Sequence, residues 1–146
     1  FVDPVRKAIG LSHSGWKGTV GHIGQKTVEK MHEVYGSEPK DIVAAIGPSI
    51  CQSCYEVSDD VAEAFRANFT ADEVADILLD KGNGKYQLDL WKANWYVLTD
   101  AGILPEHLSV TDLCTACHPD LLWSHRKTNG QRGGLAAFLS LIDTSV

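Results

Sequence analysis

The sequence has 146 residues, of which 44% are hydrophobic and 22% are charged, and its formal net charge is −6. These values suit a single domain over residues 1–146 with a sizeable core. They argue against a nucleic-acid partner, which would need a clustered basic surface, and the apolar runs are too short for a membrane-spanning helix.

The start of the chain indicates the C-terminal part of a larger protein. The first residue is Phe1 rather than methionine, and the opening residues resemble the end of a strand running into a turn. We therefore expect functional residues upstream of Phe1. Four cysteines without a secretion signal favour a cytoplasmic location, where free thiols and metal sites outnumber disulfides.

The predicted elements of the first third alternate between strand and helix. Residues 8–12 form a short apolar run that predicts a buried strand ending at His13. From residue 19 onward, apolar side chains recur at helical spacing, and Gly36 ends this predicted helix. Residues 42–46 predict a second buried strand.

The middle of the chain carries helix-start and turn signals. Ser58 predicts the N-cap of a helix. Thr70 and Glu73 have the spacing of a capping box, in which each side chain bonds the backbone N–H of the other residue. The Gly-Asn-Gly segment at 82–84 predicts a turn between two short strands.

The last third predicts one helix and two strands. Asp89 is the predicted N-cap of the helix. Its predicted packing face consists of Trp91, Trp95, Leu98 and Ala101. Residues 109–113 and 135–141 are the strand candidates. The whole series predicts an α/β (α+β) fold in which α-β-α layers enclose a mixed sheet.

His13 is the first candidate functional residue. A predicted strand delivers its imidazole to a loop that contains Gly15 and Gly18 and leads into a helix. Backbone amides at a helix start attract anions, and Lys17 adds a positive charge nearby. The segment therefore suits a metal ligand or acid–base group beside an anion site. A hydrogen-bonded core histidine in a simple turn is the alternative.

A basic loop at 124–133 is the second candidate. Arg126 and Arg132 flank polar residues and a glycine, and two guanidinium groups can clamp a phosphate by bidentate hydrogen bonds. The alternative is a solvated hairpin tip whose charges serve solubility.

The four cysteines form two Cys-x-x-Cys pairs. Cys51 with Cys54, and Cys114 with Cys117, have the spacing of a structural four-thiolate zinc site. The pairs lie far apart in the sequence, so two alternatives stay open. In the first, the cysteines are free, buried and act as small apolar residues. In the second, they form a redox pair.

Several short motifs follow one another in a fixed order along nearly the whole chain. They are residues 13–18, 46–50, 54–57, 89–94, 114–117 and 124–126 with Gly130 and Arg132. Each motif is weak by itself, but the ordered set resembles the laccase-domain family, once called multicopper polyphenol oxidoreductases.

The resemblance implies a set of site residues. His13 would be a catalytic residue and one of three metal ligands, and the other two, a histidine and a cysteine, would lie upstream of Phe1. Lys17, Arg126 and Arg132 would contact substrate or phosphate. Lys17 stands where arginine is common in the family, and the residues around Arg126 depart from the usual paired arginines followed by aspartate.

The resemblance also implies a function. Members of the family are mostly purine nucleoside phosphorylases with adenosine deaminase activity. The expected protein is thus an enzyme with catalytic zinc or copper, acting on adenosine, inosine or methylthioadenosine, with phosphate as the second small molecule. A zinc ion with an open coordination position activates water for deamination.

Two other functions stay open. One is a copper-dependent polyphenol oxidase, although a laccase needs several coppers and the chain has few histidines at ligand spacing. The other is a non-enzymatic module with a structural four-cysteine zinc. No feature indicates an oligomeric state.

Overall fold

The computed structural model describes residues 1–131 and 133–142, in which helices and strands alternate. The strands are β1 (Val2–Asp3), β2 (Ala8–Ile9), β3 (Ala44–Ile46), β4 (Glu56–Ser58), β5 (Leu78–Gly82), β6 (Lys85–Leu88) and β7 (Leu108–Val110). The α-helices are α1 (Trp16–Val20), α2 (Ile23–Tyr35), α3 (Asp59–Arg66), α4 (Ala71–Ile77) and α5 (Leu90–Asp100). Short 3₁₀ helices span Pro39–Asp41, Gln52–Cys54 and Pro105–His107.

Within residues 1–131 and 133–142, the strands pair into three small sheets. β1 and β2 are antiparallel, and β3 and β7 are parallel. β4, β6 and β5 form an antiparallel sheet with β6 in the centre. Helices packed beside both parallel and antiparallel pairs confirm the predicted α/β class.

Two hydrophobic clusters form the core, and α5 contributes to both. The first lies where α3, α4 and α5 meet the three-stranded sheet, and it includes Leu90 and Ala93. The second joins α2 and α5 to β2 and β3, and it includes Leu98. Phe65 and Ile42, one in each cluster, are fully buried, and burial of such a side chain stabilises the fold by about 1.5–3 kcal/mol.

The helix caps and the hairpin turn agree with the predictions. Thr70 and Glu73 form both hydrogen bonds of the capping box at the start of α4. The Asp89 carboxylate accepts a hydrogen bond of 2.9 Å from the backbone N–H of Lys92. Residues 82–84 join β5 to β6, and all three have positive φ angles.

The first third differs from the prediction in the lengths of its elements. The helix expected from residue 19 is two helices, because His22 takes a left-handed conformation with φ at 52°. Gly36 ends α2 in the left-handed region, as predicted. β2 ends at Ile9, so residues 10–15 lead to α1 without regular structure.

Two further local predictions need correction. Residues 42–46 are half-buried rather than buried, since the side chain of Val43 is 45% exposed between two buried neighbours. Ser58 occupies the N-cap of α3, but its hydroxyl donates to the carboxylate of Asp60 and does not accept a hydrogen bond from a helix N–H.

The predicted packing face of α5 is correct at Leu98 and Ala101, which belong to or pack against the second core cluster, but wrong at Trp91 and Trp95. The buried residues are Leu90, Ala93, Asn94, Val97 and Leu98. Trp91 and Trp95 are half-buried and line a surface cavity of about 410 Å³. α5 packs so closely on α2 that a Cβ added at Gly24 would lie 2.8 Å from Leu98 Cδ2. This face has no room for indole rings, so smaller side chains occupy it.

The two final strand predictions have different outcomes. The candidate at 109–113 is confirmed in part as β7, which starts one residue earlier than expected and ends three residues earlier, at Val110. The candidate at 135–141 is wrong, because these residues are irregular and exposed, and the Phe138 side chain is 91% exposed. A strand needs a neighbour for its backbone hydrogen bonds, and no described strand pairs with this run.

Candidate functional site

His13 lies in the loop between β2 and α1, and its side chain is exposed. The alternative of a buried core histidine is therefore wrong. The two glycines of the loop permit close approach to this residue. A Cβ at Gly15 would lie 3.3 Å from His13 Nε2, and one at Gly18 would lie 3.0 Å from the His13 carbonyl oxygen. Gly15 thus leaves the space beside the imidazole open, and Gly18, in α1, permits close contact with the His13 backbone.

A buried polar network holds the loop beside His13 in place. The Ser14 hydroxyl donates to Asn94 Oδ1 at 2.6 Å. Asn94 Nδ2 donates to Thr19 Oγ1 at 3.1 Å and to the Leu90 carbonyl at 2.8 Å. Asn94 and Thr19 are both buried, and buried polar groups of this kind are costly to leave unpaired. The network thus ties the loop to α1 and α5.

None of the residues of this network was among the functional candidates predicted from the sequence. The available signal was a polar residue, Asn94, inside an otherwise apolar helix, within the motif at 89–94. Such a residue is either solvent-facing or hydrogen-bonded in the core. The packing face predicted for α5 named only apolar side chains, so it left out Asn94, which is buried.

Lys17 is exposed in the first turn of α1, as expected for a residue that meets an anion. Its Nζ lies 5.5 Å from the centroid of the Trp16 ring, a cation–π distance. Trp16 packs against the first core cluster. The Trp16 ring therefore supports the Lys17 ammonium group, four residues after His13 in the chain.

Arg126 is also positioned by the segment that follows Cys54. Its Nη1 donates to the Glu56 carbonyl at 2.7 Å, and its guanidinium lies 5.2 Å from the centroid of the Tyr55 ring. Tyr55 packs against the same core cluster as Trp16. Arg126 and Lys17 thus each contact an aromatic side chain that packs against the first core cluster.

The loop that contains Arg126 is a series of turns rather than a hairpin tip. Thr128 N and Oγ1 both bond to the carbonyl of buried Ser124, and Gly130 N donates to the His125 carbonyl. The predicted contact residue Arg132 lies outside the residues that the structure describes.

The structure brings the two cysteine pairs together. The sulfur atoms of Cys51, Cys54, Cys114 and Cys117 all lie within 4.8 Å of one another. The parallel pairing of β3 with β7 explains this meeting, since each pair follows the carboxyl end of one of these strands. The cluster could hold a metal ion, and the separation of the pairs in sequence is no obstacle.

Hydrogen bonds within the cluster distribute charge unequally among the sulfurs. Burial opposes ionisation of Cys114, but hydrogen bonds from Cys51 and Cys117 lower its pKa to about 6. The Cys51 backbone N–H donates one of these bonds, at 3.3 Å. Hydrogen bonds with Cys114 and Cys54 raise the pKa of Cys117 to about 12. Of these two thiols, the buried Cys114 is therefore the one that ionises more readily.

The described helices include none with the length and apolar character needed to traverse a bilayer.

Comparison with known proteins gives a consistent result over the whole described fold. The model of a family described as "Multi-copper polyphenol oxidoreductase laccase" matches residues 1–142. Purine nucleoside phosphorylase YlmD of Bacillus subtilis (strain 168) is 43% identical over 97% of this chain and 50% of its own length. Adenosine deaminase RL5, from an unknown prokaryotic organism, is 38% identical over 87% of this chain and 48% of its own length.

A solved structure shares the fold. The crystal structure of the Bacillus licheniformis hypothetical protein YfiH matches with a TM-score of 0.84 and 38% identity, over 89% of this chain and 48% of that one. The chain spans about half the length of each of these three proteins.

Proposed function

This chain belongs to the multi-copper polyphenol oxidoreductase laccase family, and we propose that it supplies His13 to the active site of a metal-dependent purine nucleoside enzyme. The whole protein would cleave adenosine, inosine and methylthioadenosine with phosphate and would deaminate adenosine. Relatives named as a purine nucleoside phosphorylase and as an adenosine deaminase support both activities.

The observation that carries the proposal is the exposed but anchored position of His13. A metal-ligating imidazole must be reachable from solvent and held in one orientation. His13 is exposed, while its neighbour Ser14 is tied to buried Asn94. His13 would share the ion with a histidine and a cysteine outside this chain. A bound zinc ion supplies Lewis acidity that lowers the pKa of water.

The cationic side chains account for the use of phosphate. Phosphorolysis requires an oxyanion held against the ribose carbon. Lys17 offers a point charge over Trp16, and Arg126 offers an oriented guanidinium fork over Tyr55. Arg132 would add a second fork. The protein is proposed to work in the cytoplasm, where nucleosides and phosphate are both present.

The copper oxidase receives less support. A laccase needs several coppers, which are held mainly by histidines. Within residues 1–131 and 133–142, the one cluster of three or more metal-ligating side chains consists of cysteines alone. A multicopper signature in the spectrum of the whole protein, together with turnover of phenols, would favour the oxidase instead.

The test compares His13→Ala with His32→Ala in the whole protein. Each variant is incubated with adenosine or inosine, with and without phosphate, and the bases are separated by chromatography. The rate of metal-dependent product formation should fall by about 10²-fold or more in His13→Ala, as expected for loss of a catalytic group. His32 is exposed near the end of α2, so His32→Ala should retain activity. Equal activity in the two variants would refute the role of His13, and absence of metal-dependent product in the unmodified protein would refute the function.

A further inference from the structure

We propose that Cys51, Cys54, Cys114 and Cys117 bind one zinc ion as a closed tetrathiolate site that fastens the C-terminal loops to the body of the fold. The ligand set does not include His13. The zinc proposal stands on the geometry of the cysteines and does not depend on the proposed function.

The separations of the sulfur atoms fit this ion. A tetrahedral zinc with Zn–S bonds of about 2.3 Å places its sulfurs about 3.8 Å apart. Cys54 Sγ and Cys117 Sγ are 3.6 Å apart, and the largest separation in the cluster is no more than 4.8 Å. Small rotations of the cysteine side chains would bring these separations to the value for a tetrahedral site. Four thiols from two distant segments converge without forming a disulfide.

Burial within the cluster also suits a metal ion. Cys114 is 5% exposed, Cys51 and Cys54 are half-buried, and Cys117 is exposed. The ion would sit between a buried thiolate and a solvent-facing one, and this gives it a route of entry. Binding converts the thiols to thiolates and releases their protons. Four thiolates complete the tetrahedron, so the ion is structural.

The segment held by this ion has no regular secondary structure of its own to stabilise it. Residues 111–131 contain no described helix or strand. Their contacts with the preceding segment include a hydrogen bond from Thr115 N to the Ser49 carbonyl and the contact of Arg126 with the Glu56 carbonyl. Small segments of this kind are commonly stabilised by a structural metal.

The first test counts metal ions in the whole protein. Elemental analysis of protein purified under reducing conditions should show that Cys51→Ser and Cys117→Ser each lose one zinc per chain. His118→Ala is the control, because it removes an exposed imidazole next to Cys117 and should leave the zinc content unchanged. Unchanged zinc in both cysteine variants overturns the proposal.

The second test identifies the ligands without changing a cysteine, so it does not depend on the folding of the serine variants. His13→Ala protein is purified, and zinc X-ray absorption should show a shell of four sulfurs at about 2.3 Å. A shell dominated by nitrogen and oxygen, or recovery of the four cysteines as disulfides from freshly purified protein, overturns the proposal.

Discussion

At the scale of single residues, Asn94 decides how firmly the His13 loop is held. Asn94→Ala removes the acceptor for Ser14 and the donor to Thr19. Loss of buried partners should lower the free energy of unfolding by about 1–3 kcal/mol. The loosened loop should also weaken metal binding at His13 by roughly 10-fold. Urea unfolding and metal titration measure the two effects.

The control for this residue is Asn68→Ala. The Asn68 side chain donates to the Ala64 carbonyl on an exposed surface, so its removal should change the free energy of unfolding by less than about 0.5 kcal/mol. If Asn94→Ala lowers stability but leaves metal affinity unchanged, the network supports the fold alone and does not position His13.

At the scale of the elements, the start of α4 provides a direct measure of helix capping. Thr70→Ala removes a hydroxyl that accepts from the Glu73 backbone N–H, and this should cost about 1 kcal/mol of stability. Ser58→Ala is a matched control, because Ser58 occupies the N-cap of α3 without capping it. Urea midpoints of the two variants should therefore differ. An equal loss at Ser58 would contradict the assignment of the caps.

The predictions of secondary structure were correct where neighbouring residues determine the structure, and wrong where distant parts of the chain determine it. The capping box at Thr70, the cap at Asp89 and the turn at 82–84 depend on residues within one turn, and the sequence predicted all three. The strand expected at 135–141 depended on a partner strand, which no local pattern reports. The packing face of α5 depended on the close approach of α2 at Gly24, which is also a tertiary property.

In the candidate site, too, local features were predicted from the sequence and features that depend on distant contacts were not. His13 and Lys17 stand in one contiguous motif, and the structure finds both exposed beside the glycine loop. The convergence of the cysteine pairs could not be read from spacing alone, because it requires the parallel register of Ala44 with Leu108. That register brings together residues separated by about half of the chain.

At the scale of the whole molecule, the two core clusters and the cysteine cluster stabilise different parts. All residues of both core clusters lie between positions 1 and 108, whereas the second cysteine pair belongs to the loops that follow. Removal of zinc should therefore release the loops without melting the core. The Arg126 guanidinium should then leave Tyr55, with a higher KM for phosphate if the proposed function holds.

Hydrogen–deuterium exchange tests this separation directly. After zinc is stripped with a strong chelator, backbone amides of residues 111–131 should lose protection, while those of α2 and α5 keep theirs, because local opening follows the loss of local contacts. Restored zinc should restore protection, and the Cys117→Ser variant should match the stripped protein. Loss of protection throughout α2 and α5 would mean that the metal holds the core as well. No change at 111–131 would mean that the loops are held by their protein contacts alone.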